Sequence, residues 1–172
     1  MRFQPFPQRK IEAGEVTADA LISIRCHEQD KPNIPLDNFG GNVLYLTFDD
    51  VAVTKHHWGN KDWHGPTAHD IDSALTFVDI MEAKGAEFVA IHCQQGKSRS
   101  AALALFLTFY MSGNAHESVD ALLACDADQQ MCFNPLLIKM ADKMWNAGLD
   151  AALIEKCPPY VTWKKYWTER GF

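Results

Sequence analysis

Residues His92 to Ser100 read His-Cys-Gln-Gln-Gly-Lys-Ser-Arg-Ser and lie between a short apolar run, Phe88–Ile91, and a long one, Ala101–Met111. That succession predicts a buried strand, a tight loop and a buried helix. Such a loop can turn its backbone N–H groups inward as a nest, and the start of the following helix adds partial positive charge; both favour an anion. Gly96 gives the loop a flexible point, and Arg99 supplies a planar fork that matches two oxygens of a tetrahedral oxyanion. Cys93, at the strand end, faces that positive field, which favours the thiolate, the nucleophilic form of the side chain. A thiolate beside an oxyanion cradle is the equipment of covalent phosphoryl transfer. A lone cysteine between apolar runs reads most simply as a small buried hydrophobe. Gly96, Arg99 and Ser100 at these offsets argue for chemistry instead. Ser100 is placed either to hydrogen-bond the sulfur or to act as an ordinary first-turn serine. His92 reads as a group that orders the loop or as a packed strand-end residue.

The loop needs a scaffold, and the rest of the chain reads as one. The first ~15 residues, Pro-rich and polar, are expected as an extended arm or irregular edge. Ala20–Cys26 and Asn42–Phe48 read as strands, and Glu87–Ile91 is the strand that leads into the signature loop. From Asp49 to Gly65 the sequence is irregular and polar, with His56, His57 and His64. Gly65-Pro66-Thr67 opens a helix to about Lys84, with Ile71, Leu75, Val78 and Met81 at helical spacing and Gly85 at its end. The helix from Arg99 to about Met111 is apolar all round, so it belongs in the centre of the fold. A short helix is expected from His116 to about Ala124. Asn134-Pro135 reads as N-cap and first helical residue of a helix to about Asn146, and Leu149–Lys156 as one or two further turns. Cys157-Pro158-Pro159 is expected to break the chain before an aromatic tail of Tyr160, Trp163, Tyr166, Trp167 and Phe172. Strands alternating with helices predict a single α/β domain built on a central, mostly parallel, twisted sheet flanked by helices.

Composition narrows the function. The chain has 172 residues, a net charge of −6 and no Lys/Arg block, which argues against a nucleic-acid partner. An anionic substrate must then be drawn by the local loop rather than by the global field. No apolar run is long enough to span a bilayer. The start has no apolar h-region, and five cysteines without Cys-x-x-Cys spacing point to a reducing, cytoplasmic setting. His56, His57 and His64 do not match a recognised ligand set, so no metal and no cofactor are expected.

His92-Cys93-x5-Arg99-Ser100 resembles the active-site signature of the cysteine-dependent protein tyrosine phosphatase superfamily, in particular the small bacterial or phage-like members of its dual-specificity-like branch. The resemblance covers about residues 20–146, taken as the core, with 147–172 as a C-terminal extension of the same domain. It implies a protein tyrosine phosphatase-like fold. It also implies a two-step hydrolysis of phosphomonoesters, phosphotyrosine with phosphoserine or phosphothreonine beside it, through a phosphocysteine at Cys93. Gln94, Gln95, Gly96, Lys97, Ser98 and Arg99 would bind the phosphoryl group, and Ser100 would ease departure of the sulfur. The substrate would be a phosphorylated protein or a small phosphomonoester.

Leu44–Asp50 is similar to the family's strand that delivers the general acid, which points to Asp50, with its neighbour Asp49 facing the opposite side. Asp62, in Asp62-Trp63-His64-Gly65-Pro66, resembles the aspartate-bearing loop of the larger tyrosine-specific enzymes and competes for the role. Lys97 is similar to a loop lysine of some lipid and inositol phosphatases. Cys26, at the end of a strand, is a candidate for a reversible disulfide with Cys93. The competing readings are a phosphate-binding module without turnover and a rhodanese-like sulfurtransferase, whose loop usually has one residue fewer.

Overall fold

Six strands, seven α-helices and one short 3-10 helix (Leu36–Phe39) are described in the computed structural model, which covers residues 1–170, Trp58 through its backbone alone. They run β1 (Arg2–Pro7), α1 (Gln8–Glu12), β2 (Ala20–Arg25), β3 (Val43–Thr47), β4 (Lys55–Trp58), β5 (Lys61–His64), α2 (Ala68–Ala83), β6 (Phe88–Cys93) and α3 (Arg99–Ser112), followed by α4 (Ala115–Leu123), α5 (Pro135–Trp145), α6 (Leu149–Lys156) and α7 (Pro158–Glu169).

Four strands form one parallel sheet in the order β1-β6-β2-β3. Parallel strands need both faces covered, and the alternation of β6 shows how. Val89, Ile91 and Cys93 face the larger core with α2 and α3, whereas Ala90 joins Leu21, Ile11 and Phe39 on the opposite side. α3 is buried around its circumference from Arg99 to Leu107, which accounts for its lack of a polar face.

The helix boundaries follow local chemistry. Thr67 caps α2 in a reciprocal box with Asp70, a pattern that satisfies two orphan N–H groups. Gly113 ends α3 in the left-handed conformation, and Asn114 caps α4. Asn134 caps α5 with Pro135 in its first turn.

Three segments depart from the sequence-based expectation. The Pro-rich start is a regular edge strand, β1, paired with β6 from Arg2↔Phe88 to Pro7↔Cys93. Pro5 and Pro7 are tolerated because an edge strand uses only one side of its backbone for pairing. The irregular polar stretch contains an antiparallel hairpin, β4–β5, turning at Gly59-Asn60. The chain break at Cys157-Pro158-Pro159 is the start of α7: the prolines occupy the first turn, where a missing N–H costs nothing. Tyr160, at its beginning, is fully buried and donates to Asp150. Phe172 lies outside the described residues.

All four sheet strands point the same way, so the ends of β2, β3 and β6 gather Cys26, Asp49-Asp50 and Cys93 along one edge. Ligands of parallel sheets bind at that carboxyl edge.

Candidate active site

Residues 94–98 arch from the end of β6 to the start of α3. The surrounding scaffold holds the loop by its carbonyls. Gln94 O accepts from Gln8 N (3.3 Å), Lys97 O from Cys132 N (3.0 Å) and Phe133 N (3.3 Å), and Ser98 O from Asn134 N (3.2 Å). In a planar trans peptide the N–H points opposite to the C=O. The N–H groups of Gln95, Ser98 and Arg99 are therefore directed away from the scaffold, into the arch. No side chain caps the start of α3, so its first N–H groups add to the same positive concavity.

Gly96 makes the arch possible. Its φ is +76°, and a Cβ there would stand 2.6 Å from Phe6 C and Pro7 N. Both the left-handed backbone and the contact with β1 exclude a side chain. Gly96→Ala is expected to push the loop off β1, lowering turnover and inorganic-phosphate affinity at least ~10-fold, on the scale of strained left-handed residues. Kinetics with phosphate as inhibitor would measure both.

Cys93 and Arg99 are each only 3 % exposed. Ser100 Oγ lies 3.2 Å from Cys93 Sγ, so the serine expected to contact the sulfur does so. Arg99 Nη1 donates to Phe48 O (3.0 Å) and to Cys26 Sγ (3.1 Å), which anchors one end of the fork, while the buried Nε has no partner. A buried guanidinium N–H without an acceptor is costly and suits an oxyanion. Burial works against the charge on Arg99, but Cys93, Asp50 and Cys26 outweigh it and hold its pKa above the ordinary value. The cation is permanent.

A cavity of about 300 Å³ opens over this loop, lined by Cys93, Gln94, Gln95, Lys97, Ser98 and Arg99 together with Cys26, Asp50, Trp63, Cys132 and Trp163. Among the described residues lining it, Asp50 is the one carboxylate. Its Oδ1 accepts from Ser98 Oγ (2.7 Å) and Asn134 Nδ2 (2.8 Å). Asn134 also donates to Val51 O while its own Oδ1 caps α5. One amide thus ties the carboxylate to the helix start. The Asn-Pro pair in the sequence signalled the cap; nothing in it signalled the bond to Asp50.

Asp49 turns away, as expected of a neighbour on a strand-like segment. It is fully buried, its Oδ2 accepts from His64 N (2.9 Å), and its own N–H donates to His64 O. Its role is to fasten the hairpin to β3. Asp62 sits on β5 next to Trp63, and adjacent strand residues face opposite sides. Trp63 takes the cavity side, leaving Asp62 exposed and paired with His57 at 2.8 Å. The hydrogen bond from His57 holds its carboxyl below the usual range, so it keeps its charge rather than a proton.

Two other thiols border the cavity. Burial pushes the Cys26 thiol up, although Arg99 pulls the other way, and burial with nearby Asp50 and Cys93 pushes Cys132 up to about 12. Both are neutral thiols at physiological pH.

His92 lies across from Ser23 in the β2–β6 register, and its Nε2 is 2.8 Å from Ser23 Oγ. Burial lowers its pKa to about 4, so the imidazole is neutral and orders the strand end. The folded protein then binds fewer protons than the unfolded chain between pH 6.5 and about 4, and stability falls as pH drops through that window. In His92→Asn that slope should flatten, by up to about 3 kcal/mol across the window, as read from urea midpoints at both ends.

No protein-family model matches the sequence, and no curated protein matches it. Solved structures do. The active form of Tk-PTP superposes with a TM-score of 0.53 at 16% identity, over 84% of this chain and 90% of that one. PTP-2 phosphatase from Cydia pomonella gives 0.57 at 15%, covering 83% and 85%. PTPMT1, solved in complex with PI(5)P, gives 0.52 at 15%, covering 84% and 86%. At such identities the likeness concerns architecture, and on that ground this chain has the fold of the protein tyrosine phosphatases.

Proposed function

We propose that this protein is a cysteine-dependent phosphatase that hydrolyses phosphomonoesters, phosphotyrosine foremost with phosphoserine and phosphothreonine beside it. The observation that carries this reading is the unsatisfied Arg99 Nε in the cavity it shares with Cys93, below an arch whose Gln94, Lys97 and Ser98 carbonyls are turned outward. In the first step Cys93 thiolate attacks phosphorus. An S–P bond forms and the P–O bond to the leaving group breaks, with its electron pair passing to that oxygen. Asp50 delivers a proton to it. Both hydrogen bonds to Asp50 fall on Oδ1, so Oδ2 is the oxygen free to carry that proton. In the second step Asp50 takes a proton from water, whose oxygen attacks phosphorus as the S–P bond breaks, and Ser100 Oγ steadies the departing sulfur. Arg99 and the loop amides neutralise the charge that builds on the equatorial oxygens, where preorganised donors contribute most.

A carboxylate at the cavity favours turnover over phosphate binding alone. The test is hydrolysis of para-nitrophenyl phosphate, followed by one peptide phosphorylated on tyrosine or serine and by a phosphoinositide, the last because Lys97 lines the cavity. Release of phosphate is expected, with a phosphoryl group on Cys93 that a denaturing quench traps and mild acid removes, as an S–P bond requires. Binding of phosphopeptide without any release would replace the enzyme by a recognition module, and thiosulfate–cyanide turnover would replace it by a sulfurtransferase.

A further inference from the structure

Two tryptophans from outside the signature loop line the same cavity as Cys93, Asp50 and Arg99: Trp63 on β5 and Trp163 on α7. Each ring already has part of its surface engaged. Lys61 Nζ sits 4.0 Å from the Trp63 centroid. Trp163 stacks on Tyr166 with centroids 5.2 Å apart and planes 4° from parallel, and Trp167 meets it edge-on. These contacts brace the two indoles at the cavity wall. Both indole Nε1 atoms are buried without a hydrogen-bond partner, although buried tryptophan N–H groups usually find one. Two braced indoles thus line the cavity whose floor carries Cys93 and Arg99.

We infer that Trp63 and Trp163 are specificity-determining residues that grip a flat aromatic leaving group, so the preferred substrates are aryl phosphomonoesters and α7 belongs to the substrate site. The inference rests on the phosphatase reading and deepens it. A serine side chain offers a single methylene to such a wall, whereas a phenol ring can lie against an indole with offset or edge-to-face geometry. A cavity of about 300 Å³ is at the small end of ligand pockets and suits one ring with one phosphoryl group. Trp63 lies on a polar hairpin and Trp163 in a C-terminal segment that reads as packing.

The test uses one peptide sequence phosphorylated on tyrosine or on serine, with wild type, Trp63→Ala, Trp163→Ala and Trp163→Phe. In each alanine variant the kcat/KM ratio of the tyrosine over the serine form should fall about five- to tenfold. The inhibition constant of inorganic phosphate, which reads the loop alone, should stay within about twofold. Trp163→Phe should recover most of the preference. A ratio that does not move, or a phosphate constant that moves as much as the ratio, overturns the inference. Affinities of the same peptides for Cys93→Ser protein, with and without the alanine substitutions, separate the two readings. Wild type that turns over neither peptide defeats the phosphatase, while phosphotyrosine affinity indifferent to both indoles defeats the specificity assignment whatever the wild type does.

Discussion

Cys93→Ser protein is expected to fold, to bind inorganic phosphate and to lose turnover of para-nitrophenyl phosphate by at least about 10⁴-fold. The substitution is close to isosteric, and it leaves Arg99, its anchors on Phe48 and Cys26, and the outward carbonyls of the loop untouched. What it removes is the sulfur nucleophile. The hydrogen-bond partner at this position is Ser100 Oγ, a hydroxyl and not a base, and His92 turns its Nε2 to Ser23 instead. The other two thiols at the cavity cannot substitute, because burial keeps both Cys26 and Cys132 protonated. Phosphoenzyme trapped from wild type by a denaturing quench should accordingly map to Cys93 alone. A Cys93→Ser protein retaining a hundredth of the rate or more would place the nucleophile elsewhere.

Asp50→Asn should lower kcat for substrates with poor leaving groups by ~10²–10⁴ and flatten the alkaline side of the pH–rate profile, where a general acid would lose its proton. Para-nitrophenol leaves readily as an anion, so its ester should suffer least. The variant is a clean probe because an asparagine Oδ1 can still accept from Ser98 Oγ and Asn134 Nδ2; geometry is kept and only the transferable proton is lost. Asp62→Asn is the comparison. Asp62 is exposed, paired with His57 and on the strand face opposite Trp63, so its removal should leave the pH profile unaltered. The reverse outcome would move the acid from the end of β3 to the hairpin.

Much of this site was legible because its signals are local. Cys93 to Ser100 are joined by a single turn of backbone, so their spacing in sequence fixes their spacing in space. The strand ends that carry Cys26 and Asp50, the glycine that shapes the arch and the cap at Asn134 also follow from short-range chemistry. The hairpin was not legible. Lys55-His56-His57 and Lys61-Asp62 carry no apolar alternation, because neither strand belongs to the main sheet. β1 was hidden by two prolines that only an edge position tolerates, and α7 by a Pro-Pro pair that starts a helix as readily as it ends one.

The sequence by itself determined the proposed nucleophile, the loop proposed to hold an oxyanion, the guanidinium and the α/β order that presents them, since each depends on neighbours a few residues away. Only the tertiary structure decided which aspartate stands over the loop, that Asn134 orients it from 84 residues downstream, and that a hairpin and the last helix supply two indoles to one wall. Those are meetings between elements distant in the chain. Their partners are selected by how the sheet edge and the helices pack, and no spacing in sequence encodes that.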